Sequence, residues 1–112
     1  MYITMYNKHY SIIVTGSDKA IITKAHNKAH LIFGNLSNNL FGNVISNIVS
    51  GMMNSQYSFF IAPDGVDYVG NTADMLTSAR FEFVNYLRSK NIDFVKVMFG
   101  GDDDVCRIID KI

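Results

Sequence analysis

The chain has 112 residues, ten of them basic and ten acidic, which is the size of one domain able to bury a single core, so residues 1–112 are read as one unit. No apolar run approaches the ~20 residues of a membrane span, Met1 to His9 lack the layout of a signal peptide, and the lone Cys106 allows no internal disulfide. These features predict a cytoplasmic protein with no membrane partner.

Charge is uneven along the chain. Residues 1–56 hold Lys8, Lys19, Lys24 and Lys28 against Asp18, whereas residues 57–112 hold nine acids against six bases. Four lysines without an arginine make a poor phosphate-gripping stripe, so nucleic acid is not an expected partner.

In chain order, Tyr10 to Thr15 and Ala20 to Lys24 are β-prone runs, joined by the turn formers Gly16-Ser17-Asp18-Lys19. They predict a β-hairpin, with Tyr2 to Tyr6 extending its first strand. His26 to His30 reads as a polar, irregular connection. From Ser37 the period changes. Leu40, Phe41, Val44, Ile45, Ile48, Val49, Met52 and Met53 recur at steps of one, three and four, predicting a helix over Ser37–Met53 with Asn and Ser on its other face.

Tyr57 to Ala62 is an aromatic and β-branched strand closed by Pro63-Asp64-Gly65, a turn tripeptide. A second helix follows, capped at Asn71 or Thr72, with Asp74 in its first turn and Arg88 and Lys90 at its end, as the helix dipole favours. Its apolar stripe is Leu76, Ala79, Phe83, Val84 and Leu87, and Asn91 supplies a left-handed stop. Ile92 to Phe99 reads as a strand ended by Gly100-Gly101, and Val105 to Ile109 as a last one. The prediction is an α+β fold of order β-β-α-β-α-β-β. Its mixed, mainly antiparallel sheet has four or five strands, with both helices packed on one face.

Residues with chemical potential are few. His26 and His30 are four apart, but no Glu accompanies them as in the metalloprotease pattern, and they read as loop histidines. Asp102-Asp103-Asp104, with Asp64 and Asp67 if the two turns meet, lack calcium-loop spacing and read as a solvated or partner-facing acidic turn. Cys106 sits in an apolar pattern, as a small hydrophobe does. Phe60, Tyr68, Phe81 and Tyr86 fall off the expected core positions and are candidates for an exposed aromatic patch. No metal, cofactor or catalytic residue is predicted, and the chain reads as a non-enzyme.

Tyr57-Ser58-Phe59-Phe60-Ile61-Ala62-Pro63-Asp64-Gly65, then a helix, then Phe94 to Asp103, resemble a family of small uncharacterised accessory proteins of tailed bacteriophages that share an FFIAPDG-type turn. The resemblance covers roughly residues 50–104. After the turn, family members carry a Ser-Lys-Glu-Gly-Trp-like continuation where this chain has Val66-Asp67-Tyr68-Val69-Gly70.

It implies a phage product acting in the cytoplasm of an infected bacterium, and supplies no catalytic residue. The expectation is a binding protein that antagonises a host factor or an anti-phage defence by direct protein–protein inhibition. Asp64, Asp67, Tyr68 and Asp102 to Asp104 would form its surface for a host bacterial protein. Two alternatives stand beside it: a sponge for a nucleotide defence signal using Lys24, Lys28, Arg80 and Tyr86, and a small metal-dependent hydrolase using the aspartates. The broad apolar face of the 37–53 segment points further to a homodimer.

Overall fold

The strand Lys8–Gly16 (β1) lies at the centre of a five-stranded sheet in a computed structural model that describes residues 8–34, 44–63, 71–100 and 107–111. The helix Lys19–Gly34 (α1) follows, then Val49–Ser50 (β2), Tyr57–Ile61 (β3), the helix Asn71–Ser89 (α2), Asp93–Gly100 (β4) and Arg107–Lys111 (β5). Strand order is β2-β3-β1-β4-β5, and every neighbouring pair is antiparallel. Each helix links two strands that have a third between them, which is the interleaved β-α-β-β-α-β plait of ferredoxin-like folds, here with β5 added beyond β4. The α+β class and a sheet with both helices on one face are as the sequence predicts.

The element order in the first half is corrected to β-α-β-β-α-β-β. Residues 20–24, expected as the second strand of a hairpin, are the first turns of α1. The deciding residue is Asp18, whose Oδ1 accepts hydrogen bonds from the backbone N–H groups of Ala20 and Ile21 at 2.9 and 3.2 Å, the geometry of a helix N-cap. From there Ile22, Ala25, Ala29, Ile32 and Phe33 recur on one face and are all buried. Packing of that stripe overrides the β-propensity of Ile21-Ile22-Thr23, a preference worth only tenths of a kcal/mol per residue. The join is tight: a Cβ on Gly16 would lie 2.9 Å from Ile22 Cδ1.

The expected helix over Ser37–Met53 is also corrected, in its described part. Ile45 bridges Ile61, Ser46 N–H donates to the Phe60 carbonyl at 2.9 Å, and Ala62 N–H donates to the Val44 carbonyl at 2.7 Å. Ser46 Oγ accepts from Phe60 N–H at 2.8 Å. The segment therefore runs beside β3 as an irregular edge before β2 pairs Val49 with Ser58. A loop of Met52 to Ser55, closed by the Gly51 N–H on the Gln56 carbonyl, then reverses the chain, with Asn54 and Ser55 in the left-handed region at φ of 61° and 51°. Residues 35–43 lie outside the described residues, as do the Tyr2–Tyr6 extension and the Pro-Asp-Gly turn beyond Pro63.

The second half follows the prediction closely. Leu76, Ala79, Phe83, Val84 and Leu87 are buried, as are Ile92 and Phe94. α2 stops in a Schellman arrangement: Asn91 takes φ 57°, its N–H donates to Arg88 O, and Ile92 N–H donates to Leu87 O. Ile12, Val14, Phe59 and Ile61 close the core from the sheet side. At its centre Phe83 meets Phe33 edge-on at 6.4 Å and Phe59 at 6.3 Å between ring centroids.

Candidate functional site

Both helices cover one face of the sheet, and the other face carries its own apolar surface. Strand alternation puts Ser11 and Ile13 of β1 there, with Val49, Ser58, Phe60, Val95, Val97, Phe99 and Ile108 from the flanking strands. An open sheet face is ordinarily polar. Here Phe60 is 44% exposed and Ile108 64%, and Ile13, Val49 and Phe99 are exposed too. Between Phe60, Phe99, Val49 and Pro63 lies a groove of about 500 Å3 floored by Ser11 and Ile13. The Ser11 hydroxyl donates to the Ile61 carbonyl at 2.8 Å and is spent within the sheet. Thr15 Oγ1 and Ser58 Oγ pair at 2.9 Å at the edge of the same face. Beyond β2, the hairpin turn carries Met52, fully exposed, and Met53.

Two clusters of cations on aromatic rings occupy the helical side. In the first, Tyr10 is flanked by Arg80 at 4.8 Å and Lys96 at 5.3 Å from its ring centroid. Arg80 is only 8% exposed and also donates to Thr77 Oγ1. Burial, and then the neighbouring Arg80, hold Lys96 below the usual lysine value, with Asp110 pulling the other way. Arg88, which pairs with Asp110, lies over the Phe94 ring at 5.5 Å.

In the second cluster, Lys28 Nζ lies 5.7 Å from the centroid of Tyr86, whose ring stacks on Phe83 at 10° between planes. Beside it Ile21, Lys24, Tyr86, Lys90 and Ile92 line a cleft of about 320 Å3.

Of the predicted ligand set, the structure thus brings Lys24, Lys28 and Tyr86 to one place and assigns Arg80 to the other cluster. Lys90, absent from that set, completes the cleft; its position four residues after Tyr86, just past the end of α2, was the available signal. Phe60 and Phe81 are both exposed, but Phe60 lies on the open sheet face and Phe81 on α2, so they form no single patch. His26 and His30 do share a helix, contrary to the loop reading, with ring centroids 4.7 Å apart. His26 Nε2–H is committed to the Ser46 carbonyl at 2.8 Å, tying α1 to the edge segment. Among the described residues no group of three or more His, Cys, Asp or Glu is placed to hold a metal ion, and no helix is long and apolar enough to cross a membrane. Asp64, Asp67, Tyr68, Asp102, Asp103, Asp104 and Cys106 lie outside the described residues.

The open face escaped the sequence reading because alternation tells apart two sides of a strand and not which side is covered. Its signal was that Ile13, Phe60, Val95, Val97 and Phe99 are apolar at positions where a one-sided sheet carries polar residues. No protein-family model matches the chain, and no curated protein is significantly similar to it.

Proposed function

We propose that the chain is a non-enzymatic binding protein of phage origin that antagonises a bacterial host factor or defence by direct protein–protein contact. The observation that supports it is the open sheet face: an apolar groove bounded by Phe60 and Phe99, with adaptable methionines at the adjoining hairpin tip. Exposed contiguous apolar surface marks interaction sites, and aromatic anchors around a pocket supply most of the affinity in such contacts. Five strands spaced ~4.8 Å apart and about six residues long at ~3.3 Å each give a face on the order of 500 Å2. That is the scale of one side of a modest protein interface. The acids Asp64, Asp67 and Asp102 to Asp104, with Tyr68, remain proposed contacts for a basic partner.

The test is to express the chain in a panel of bacteria carrying different phage defences and count plaques. Plating restored in one strain, and lost with Phe60→Ser and Phe99→Ser proteins that keep the parental melting temperature, is the expected result. Restoration unaffected by both substitutions would remove the open face from the mechanism; no restoration in any strain removes the antagonist reading itself. A second reading, sequestration of a nucleotide signal, is favoured by the cationic cleft of Lys24, Lys90 and Tyr86, with Lys28 over the Tyr86 ring.

A further inference from the structure

The charges on α1 are one-sided. Over Lys19–Gly34 the helix carries Lys19, Lys24 and Lys28 and no Asp or Glu. Lys24 and Lys28 stand one turn apart, where like charges repel. Across the gap stand Tyr86 of α2 and Lys90 just past its end, so Lys24 faces a ring and a second lysine, with Lys28 over that ring. Among the described residues, none lining the cleft is acidic. Lys90 is explained by its place at the C-terminal end of α2, where the dipole favours a cation. Lys28 lies over the Tyr86 ring, and among the described residues Lys24 makes no comparable contact. An anion between the helices supplies one.

The rest of the cleft says which kind of anion. Its other lining residues, Ile21 and Ile92, are apolar. The Tyr86 ring is held by stacking on Phe83, and the cation over it is the Lys28 ammonium. A cation over a half-buried ring is held no more strongly than a stacked base, so a base can take that place while the ammonium turns to a phosphate. The three lysines would meet a phosphate chain as point charges, without the bidentate contact an arginine adds. The volume of about 320 Å3 is at the lower end of small-molecule sites, room for one nucleotide and not for a strand.

We propose that this cleft binds a single nucleotide, its base against Tyr86 and its phosphates among Lys24, Lys28 and Lys90. The assignment rests on the sequestration reading only for its biological use. It is independent of the open sheet face, so binding in the test tube and plaque restoration succeed or fail separately.

Titration calorimetry of the purified chain with the four ribonucleoside triphosphates, tripolyphosphate and the free nucleosides tests it. At least one triphosphate is expected to bind saturably, about tenfold or more tighter than tripolyphosphate or its own nucleoside. Lys24→Glu and Lys90→Glu should each weaken it by about tenfold and flatten its salt dependence. Tyr86→Leu should weaken the triphosphate and leave tripolyphosphate unchanged, while Tyr86→Phe keeps both. Thermal melts of each variant confirm that it is folded, and Tyr86→Phe carries the ring test if Tyr86→Leu is not. Failure of all four triphosphates to bind at millimolar concentration overturns the proposal. So does tripolyphosphate binding as tightly as any triphosphate, or charge reversal without effect.

Discussion

Single residues carry the two most direct energetic consequences. Phe83 is fully buried and touches rings from α1, β3 and its own helix. Truncation to alanine removes the piece on which both helices and the sheet meet, and should cost about 3–5 kcal/mol in chemical denaturation. An unchanged unfolding midpoint would take Phe83 out of the core. His30 sets a pH dependence. Burial, and then the His26 ring beside it, hold its pKa below the ordinary imidazole value, so the unfolded chain binds the proton more readily than the folded one. Stability is therefore complete above that ordinary value, near pH 6.5, and falls as pH drops through the folded pKa. The ring is largely exposed, so the effect is small. Melting temperature measured from about pH 7.5 to about pH 5 should decline less steeply in His30→Gln than in the parent, and parallel curves would acquit His30.

At the scale of elements, the ends of the helices show what sequence can and cannot say. Asn91 was readable as a stop because Ser89-Lys90-Asn91 combines the end of an apolar stripe with a residue that tolerates positive φ. Asp18 was equally informative and was read as a hairpin turn, because Asp serves both turns and N-caps and only the stripe after it separates the two. That stripe begins with Ile21-Ile22-Thr23, a β-branched triplet whose local preference points the wrong way. The 44–50 segment failed for the opposite reason: an edge strand broken around Asn47 and Ile48 places Val44, Ile45, Ile48 and Val49 at the spacing of a helix. Asp18→Ala tests the cap. Its loss should cost about 1 kcal/mol of global stability. Asp18→Asn, which keeps the accepting oxygen, should recover most of that; equal loss in both would assign the effect to charge.

For the whole molecule, the layers decide where function resides. The core between helices and sheet was legible from the α2 stripe and the flanking strands, since burial imposes periodicity. The open face was not, because its apolar residues obey the same alternation whether or not anything covers them. The cleft lay between: Lys24 and Tyr86 were legible as ligand candidates, and Lys90 only once the helices were side by side. If the open face is a docking surface and not part of the core, polar substitution there leaves the fold intact. Phe60→Ser with Ile108→Ser should change the melting temperature by no more than about 2 °C while abolishing dye binding to exposed apolar surface. A large fall in melting temperature would mean the face already supports the fold.

The central position of β1 also governs how the chain is made. Ile12 pairs with Ile61 on one side and with Lys96 on the other, so the strand synthesised first has no partner until β3 and β4 have followed it. At typical translation rates the interval from Gly16 to Gly100 is on the order of five to fifteen seconds. Until β3 emerges, Ile12 and Val14, destined for full burial, have only α1 to shelter against, and until β4 follows one edge of β1 stays open. The growing chain is then a client for whatever holds apolar segments at the ribosome. Its yield should depend on the pace of translation through residues 17–100, with slower codons there lengthening the exposure of its first strand.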